Sequence, residues 1–536
     1  MRKLLALIAV IALVAALFFA LSDREEPGVS GEAETRQVLR RGNGAEPSTL
    51  DPARADETHE FNILVDLYEG LMALDAGGSL IPGVAETYDI SDDGLTYTFT
   101  LRDDAKWSNG DPVVAEDFAR ALRRVTDPET ASSFALQLSP IQNFEAVRSE
   151  DVDPSQLGVS ATDDRTLVIT LDNPTGHFLS LLSTPVTYPI HASSTADTLD
   201  DPETFIGNGA YVLSERQTLG VIRLSRNEHY WDSANVAIEE VEYFPINDET
   251  AEMNMYRSGG LDITHAIPSA SVEMLRQTIP DEVRIAPRST FYYYGFDMTQ
   301  PPLDDVNLRR ALTMAIDRPR LAKAIGRGEV PAYHYVPPGT TNHVPAPYDW
   351  QDWSDADRIA AARASYRQAG YGDDNPLTLS LMFNSGSVHE RIAVVVQSMW
   401  EEALGVQVEL DKREMGVMLG LRAQRDAWEV MRLSWGADYN DPLSILEIFH
   451  SESDQNLAMY ASEDFDEFLE QATIEIDPAR RLELMTAAEE TVLNGYPVAP
   501  LYFYVSKHLV KPNVGGFEHN AINRHPSRFL TLDAGD

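Results

Sequence analysis

From Leu95 to Leu101 apolar and polar residues alternate without a break, Leu-Thr-Tyr-Thr-Phe-Thr-Leu. That period of two predicts a strand with one face buried. Trp107-Ser108-Asn109-Gly110-Asp111-Pro112 reads as a turn, and Val113 to Thr126 as a helix. Leu167-Val168-Ile169-Thr170-Leu171 predicts a second strand, and Tyr230-Trp231-Asp232 leads into a third over Ile238 to Phe244. Further along, the period changes. Ile392, Val395, Val396, Met399 and Ala403 fall on one helical face, Gly405 stops that helix, and Val406, Val408 and Leu410 alternate as a strand. Another helix ends over Tyr366 to Ala369, before a strand at Leu377 to Phe383. Helices interleaved with strands predict an α/β protein with mixed sheets. The chain has no internal repeat and no low-complexity tract.

The N-terminus breaks this pattern. Arg2 and Lys3 precede an uncharged apolar run from Leu4 to Leu21, and Ala20-Leu21-Ser22 supplies small residues around a cleavage point. Residues 1–22 therefore read as an export signal. The run is almost long enough to span a bilayer, so an uncleaved membrane anchor is the alternative. Residues 23–36 are polar, with Gly and Pro, and read as a linker. No second apolar run of that length follows.

Composition narrows the function classes. The 536 residues suffice for two to four domains at roughly 100–200 residues each. There is no cysteine, hence no disulfide, no thiol nucleophile and no lipid-attachment site behind the signal, which points to the periplasm. The formal charge is −43, and removing Arg2 and Lys3 with the signal takes it to −45. Lysine is confined to Lys3, Lys106, Lys323, Lys412, Lys507 and Lys511. Nucleic acid and acidic membrane surfaces are thereby excluded as partners, since both need clustered cations.

Catalytic signatures are missing. There is no Gly-x-Ser-x-Gly elbow, no His-Glu-x-x-His zinc site and no phosphate-binding Walker loop. The histidines are scattered rather than set at ligand spacing, and no cofactor is implied. One stretch does carry chemistry, Ser434-Trp435-Gly436-Ala437-Asp438-Tyr439-Asn440-Asp441-Pro442. Asp438 stands among aromatics just after a glycine. A carboxylate in such surroundings is costly to bury without a cation, so it reads either as a pocket for an ammonium group or as a solvated residue at a strand-to-turn junction.

Several segments, in order, resemble one family, the periplasmic oligopeptide-binding proteins of peptide ABC importers (extracellular solute-binding protein family 5). They are Ser48-Thr49-Leu50-Asp51-Pro52; Leu67-Tyr68-Glu69-Gly70-Leu71; Tyr97 to Arg102 with Lys106 to Pro112 and Ala115-Glu116-Asp117; Gly207-Asn208-Gly209-Ala210-Tyr211; Asn227 to Trp231; Arg310-Ala311-Leu312 to Asp317-Arg318; Trp435 to Pro442; and Leu509 to Pro512. The resemblance implies an α/β, two-lobed periplasmic-binding-protein fold of type II with an extra domain. Its discontinuous domains are joined by a hinge. Lobe I would comprise 37–81, 200–288 and 505–536, the extra domain 82–199 packed on lobe I, and lobe II 289–504. A monomer would capture peptides of about two to five residues in the interlobe cleft and hand them to permease subunits in the inner membrane, without bond-making chemistry. A murein peptide, an opine or another amine-bearing solute is the alternative ligand. A secreted hydrolase is the alternative from another class, and the missing catalytic constellation weighs against it.

Carried over residue by residue, the resemblance makes Asp438 the partner of the ligand's α-amine, flanked by Trp435 and Tyr439. The backbone of Ser434 and Gly436 is the strand edge beside the peptide, with Leu71 contributing from the other lobe. Tyr504 falls near the amine site. Arg432 meets the C-terminal carboxylate, His389 does so for other peptide lengths, and Glu69 and His265 line pockets. The chain departs from the family pattern at Gly326 (with Arg327 beside it), Gly295, Met415 and His265-Ala266, which alters the side-chain pockets and leaves the amine site intact.

Overall fold

Among the described residues, three larger sheets, two two-stranded ones and three separate cores organise the chain. In a computed structural model, residues 37–196, 198–341, 343–422, 428–437 and 439–533 are described. The predicted signal and linker, residues 1–36, lie outside them. Among the described residues no helix is long and apolar enough to cross a membrane.

The first sheet orders its strands Val38–Gly42, Glu240–Phe244, Ile222–Arg226 and Tyr211–Arg216. The first pair is parallel and the others antiparallel. The second sheet, Ala85–Ile90, Thr96–Leu101, Thr166–Thr170 and Val159–Ala161, is wholly antiparallel. The alternation at 95–101 appears there as predicted: Tyr97, Phe99 and Leu101 are buried, and Thr96, Thr98 and Thr100 are not. These two sheets share one apolar core. The helix Ala115–Thr126 closes over the second sheet. Asp117 in its first turn accepts from the Val114 amide at 3.0 Å and from Trp107 Nε1 at 2.9 Å, tying the helix start to the preceding turn.

The third sheet builds the other lobe. Its order is Val330–Pro331, Val498–Leu509, Val283–Phe296, Val430–Gly436, Thr378–Asn384 and Gln407–Arg413. The last two junctions are parallel and the rest antiparallel. The helices Asp355–Gln368 and Ser387–Leu404 fall where the periodicity puts them, and Gly405 closes the latter in a left-handed turn at φ 75°. This lobe has a core of its own.

Two strands run from one lobe into the other, Val283–Phe296 and Val498–Leu509, paired from Val283↔Leu509 to Gly295↔Val498. At one end Leu509 belongs to a small cluster with Tyr256, Leu261 and Leu275. At the other, Phe291 to Tyr294 and Val498 to Phe503 enter the core of the second lobe. The pairing breaks between Pro287 and Phe291. A second shift falls between Tyr292 and Tyr293; irregularities of this kind bend a two-stranded ribbon locally, and these two connecting strands are called the hinge strands below.

Candidate functional site

The site grows from the strand Val430–Gly436. Its alternation puts Met431, Leu433 and Trp435 on one face and Arg432, Ser434 and Gly436 on the other. It pairs antiparallel with the hinge strand as Tyr294↔Arg432, Tyr292↔Ser434 and Thr290↔Gly436. Just past it, the Ala437 amide donates to the Ser289 carbonyl at 2.7 Å. By the period of two, residues 433 and 435 also turn their peptide groups toward the hinge strand, and Ser434 and Gly436 turn theirs to the opposite edge. The neighbour on that edge, Thr378–Asn384, pairs only at Val430 and Met431. Among the described residues, therefore, no strand covers the edge that Ser434 and Gly436 present. A Cβ on Gly436 would lie 3.0 Å from Thr290 Oγ1, so this position fits a residue without one.

Arg432 is 7% exposed. Its Nη2 donates to the Tyr504 hydroxyl at 3.1 Å, and its guanidinium lies 4.7 Å from the centre of the Tyr292 ring. Its Nε is buried without a partner, and no described carboxylate stands within salt-bridge distance. Burial pulls its pKa down, but Tyr292 and Tyr504 outweigh that and hold it above the ordinary value. It is thus a buried cation solvated by phenols. His389, in the first turn of Ser387–Leu404, places Nδ1 3.3 Å from the Tyr292 hydroxyl and lies against that ring at 5.8 Å. Burial, then Arg432 and Arg327, lower its pKa to about 4. It is neutral at pH 7 and ready to gain a proton beside an anion. Tyr502 also stacks on Tyr292, at 4.8 Å.

The loop after Gly436 is pinned from several directions. Trp435 Nε1 donates to the Ser444 carbonyl at 2.6 Å. Tyr439 stacks on His177 at 5.0 Å. Asn440 Nδ2 donates to the Gly78 carbonyl at 3.0 Å and to Thr341 Oγ1 at 2.6 Å. Asp441 receives both guanidinium nitrogens of Arg481, at 2.6 and 2.7 Å. A cavity of about 740 Å³, lined in part by Gly78, Thr341, Asp441 and Arg481, opens beside this loop. Asp438 itself lies outside the described residues.

The remaining candidates fall elsewhere. Glu69 is buried and fully engaged, accepting from Tyr230 at 2.7 Å, Trp231 at 2.6 Å and Arg528 at 2.7 Å. The Leu71 carbonyl accepts from the Gly83 and Ala85 amides. Tyr504 stands with Arg432. The His265 amide donates to Glu252 at 2.7 Å, and burial, then His508 and Arg288, lower the ring's pKa to about 4. The structure thus brings Arg432, His389 and Tyr504 together around Tyr292, next to Ser434 and Gly436.

The sequence profile of the bacterial extracellular solute-binding proteins, family 5, matches residues 79–456. The chain belongs to this family. It is 37% identical to the periplasmic oligopeptide-binding protein OppA of Salmonella typhimurium over 90% of each chain. Among solved structures, the unliganded open form of the murein tripeptide-binding protein MppA superposes with a TM-score of 0.89 at 36% identity, covering 93% of this chain and 98% of that one. A second structure of MppA, from Escherichia coli, gives 0.68 at the same identity, over 93% and 99%.

Sequence reasoning missed Tyr292, the platform under both Arg432 and His389. All four residues from Phe291 to Tyr294 belong to the buried core of this lobe, so nothing in the sequence sets Tyr292 apart. Arg481 was missed as well. Only the fold sets it opposite Asp441.

Proposed function

We propose that this protein captures short peptides, of about two to five residues, in the cleft between its lobes and delivers them to an ABC import permease, without chemistry of its own. The observation that carries the reading is the edge at Ser434 and Gly436, which no described strand covers, flanked by a buried arginine with no described carboxylate within salt-bridge distance. An extended peptide adds to such an edge by backbone hydrogen bonds, and its C-terminal carboxylate completes Arg432 with His389 beside it. Asp438 then takes the free α-amine at the other end, with Trp435 and Tyr439 flanking it. Glu69, Leu71 and His265 belong to the opposite wall. The names of the relatives support the ligand class. They also support a periplasmic location, with residues 1–22 as the export signal.

In this reading lobe I comprises 37–81, 200–288 and 505–536, the extra domain 82–199, and lobe II 289–504. Closure is rotation about the break at 287–291, and the protein acts as a monomer. Native mass spectrometry of the purified protein, followed by release of its cargo under denaturing conditions, tests the proposal. Co-purified peptides with free amines are expected. A sugar or a metal chelate as the cargo contradicts it.

A further inference from the structure

The C-terminal segment returns across the hinge strands as a loop. Its base is the two-stranded ribbon of Val514–Gly515 and Thr531–Leu532. Near its far end it is anchored to the first lobe, where the Ser527 amide donates to Asp66 at 2.7 Å and Arg528 donates to Glu69 at 2.7 Å. Between base and anchor, residues 517–525 lie on the hinge. The Ala521 carbonyl accepts from the Ser289 amide at 2.7 Å, inside the break in the hinge pairing, and the Ser289 carbonyl accepts in turn from the Ala437 amide. Asn520 Nδ2 donates to the Ala76 carbonyl at 3.2 Å. The stretch is a strap that joins the first lobe to the hinge break and, through Ser289, to the loop after Gly436.

Two histidines fasten the strap, His525 on it and His508 on the hinge strand Val498–Leu509. They are 8% and 5% exposed, with ring centres 5.5 Å apart. The side-chain amide of Asn523 stands between them, Oδ1 lying 2.8 Å from His508 Nε2 and 3.2 Å from His525 Nε2. His508 Nδ1 lies 2.8 Å from the Thr264 carbonyl, which can only accept, so Nδ1 carries a hydrogen. Asn520 Nδ2 approaches His525 Nδ1 at 3.4 Å, but its two hydrogens go to the Ala76 and Arg524 carbonyls, and this ring donates to the Glu518 carbonyl. Oδ1 accepts from both rings only if each carries two hydrogens. With one hydrogen on each, the amide serves them by turning over, so that Nδ2 gives one hydrogen to each Nε2. A pair with a single added proton is served by neither orientation.

The surroundings do not neutralise an added proton. Arg41 and Arg288 act on His508, Arg41 and His519 act on His525, and His265 and His59 complete the basic group. Arg284 stands across from His508 in register, its guanidinium donating to the Asp281 carbonyl. The acidic groups are held elsewhere. Asp66 accepts from Tyr243 and Ser527 and acts on Arg41, Glu252 accepts from the His265 and Ala266 amides, Asp262 accepts from the Arg40 amide, and the Glu518 carboxylate lies at Gly77. No described carboxylate is within salt-bridge distance of either ring. Burial is the first cause that lowers both histidines, His525 well below the ordinary 6.5. The stability that the neutral pair contributes is therefore complete above pH 6.5 and is lost as the pH falls through the folded values.

We infer that residues 517–525 are an acid-released strap: protons on His508 and His525 lift it from the hinge break, and the loosened hinge captures peptide less tightly. The second half rests on the peptide reading above, and the first half does not.

Hydrogen exchange of the full chain, read as protection relative to the intrinsic rate at each pH, tests it. Between pH 7 and about pH 4.5 the amides of 517–525 should lose at least about tenfold in protection, while those of the strand Thr96–Leu101 hold within about threefold. Asn523 sits at φ 54°, a conformation that aspartate also adopts. Asn523→Asp sets a carboxylate between the rings and should keep the strap protected in acid. Over the same interval the affinity for tri-alanine, read by calorimetry, should fall by more than about threefold in the unaltered protein and by less than about twofold in Asn523→Asp. Unchanged protection of 517–525 overturns the inference, as does an equal loss throughout the chain or a loss that Asn523→Asp does not prevent. The first comparison needs no variant to fold. Affinity that holds while the strap opens overturns its link to capture. If tri-alanine does not bind at pH 7, the peptide reading falls, and exchange still decides the strap.

Discussion

Two arginines of the second lobe, Arg481 and Arg432, are buried to almost the same degree, 5% and 7% exposed, and are treated in opposite ways. Arg481 is saturated. Asp441 takes two of its nitrogens, and the Ala472 carbonyl takes Nε at 3.0 Å. Arg432 has only the phenols of Tyr504 and Tyr292 and the Tyr292 ring face, and its Nε has no described partner. Burial of a cation is expensive in both places. At Arg481 the expense is met inside the fold, so the group does structural work and fixes the loop after Gly436. At Arg432 it is met only in part, and in the proposed reading the remainder is supplied by the peptide's C-terminal carboxylate. The state of its pairing, more than its burial, separates a structural arginine from a binding one.

Substitutions should separate the two. Asp441→Ala leaves Arg481 uncompensated and should lower unfolding free energy by about 3–5 kcal/mol, read by urea denaturation. Arg432→Gln should do the reverse. Peptide affinity should fall by about 2–5 kcal/mol, read by calorimetry, while the melting temperature holds or rises because an unpaired buried cation has gone. If Arg432→Gln destabilises as Asp441→Ala does and leaves affinity alone, the contrast collapses. Asp438→Asn should weaken tripeptide binding by more than about tenfold, and unchanged affinity would remove Asp438 from the site.

The smallest effect concerns His389. Its folded pKa of about 4 lies below the ordinary 6.5, so the unfolded chain binds the proton more readily. The stability it contributes is complete above pH 6.5 and is lost as pH falls through 4. His389→Gln should therefore flatten the pH dependence of stability between those values relative to the unaltered protein. Identical curves would mean that His389 is not held neutral by the fold.

Much of this was legible before the fold was known. The alternation at 95–101 and the helical face of 392–403 depend on local burial alone, so period and structure agree. The hinge strands were harder. Val283–Phe296 and Val498–Leu509 pass from one core to another, and Phe291 to Tyr294 is buried on both faces, which erases the period of two. At the site, Arg432, His389 and Tyr504 were named from motif order, but their common partner Tyr292 was not. It sits 97 positions from His389 in sequence, and only the sheet register brings the two together. Tyr504, named for the amine end, also accepts from Arg432, 72 positions away in sequence.

The central claim is that the cleft holds a peptide by both ends, its amine at Asp438 and its carboxylate at Arg432. The most direct measurement is calorimetry with one tripeptide in three forms: free, N-acetylated and C-terminally amidated. The account predicts that each block alone weakens binding by more than about tenfold, since each leaves one buried charge without its partner. Equal affinity for all three forms would contradict it.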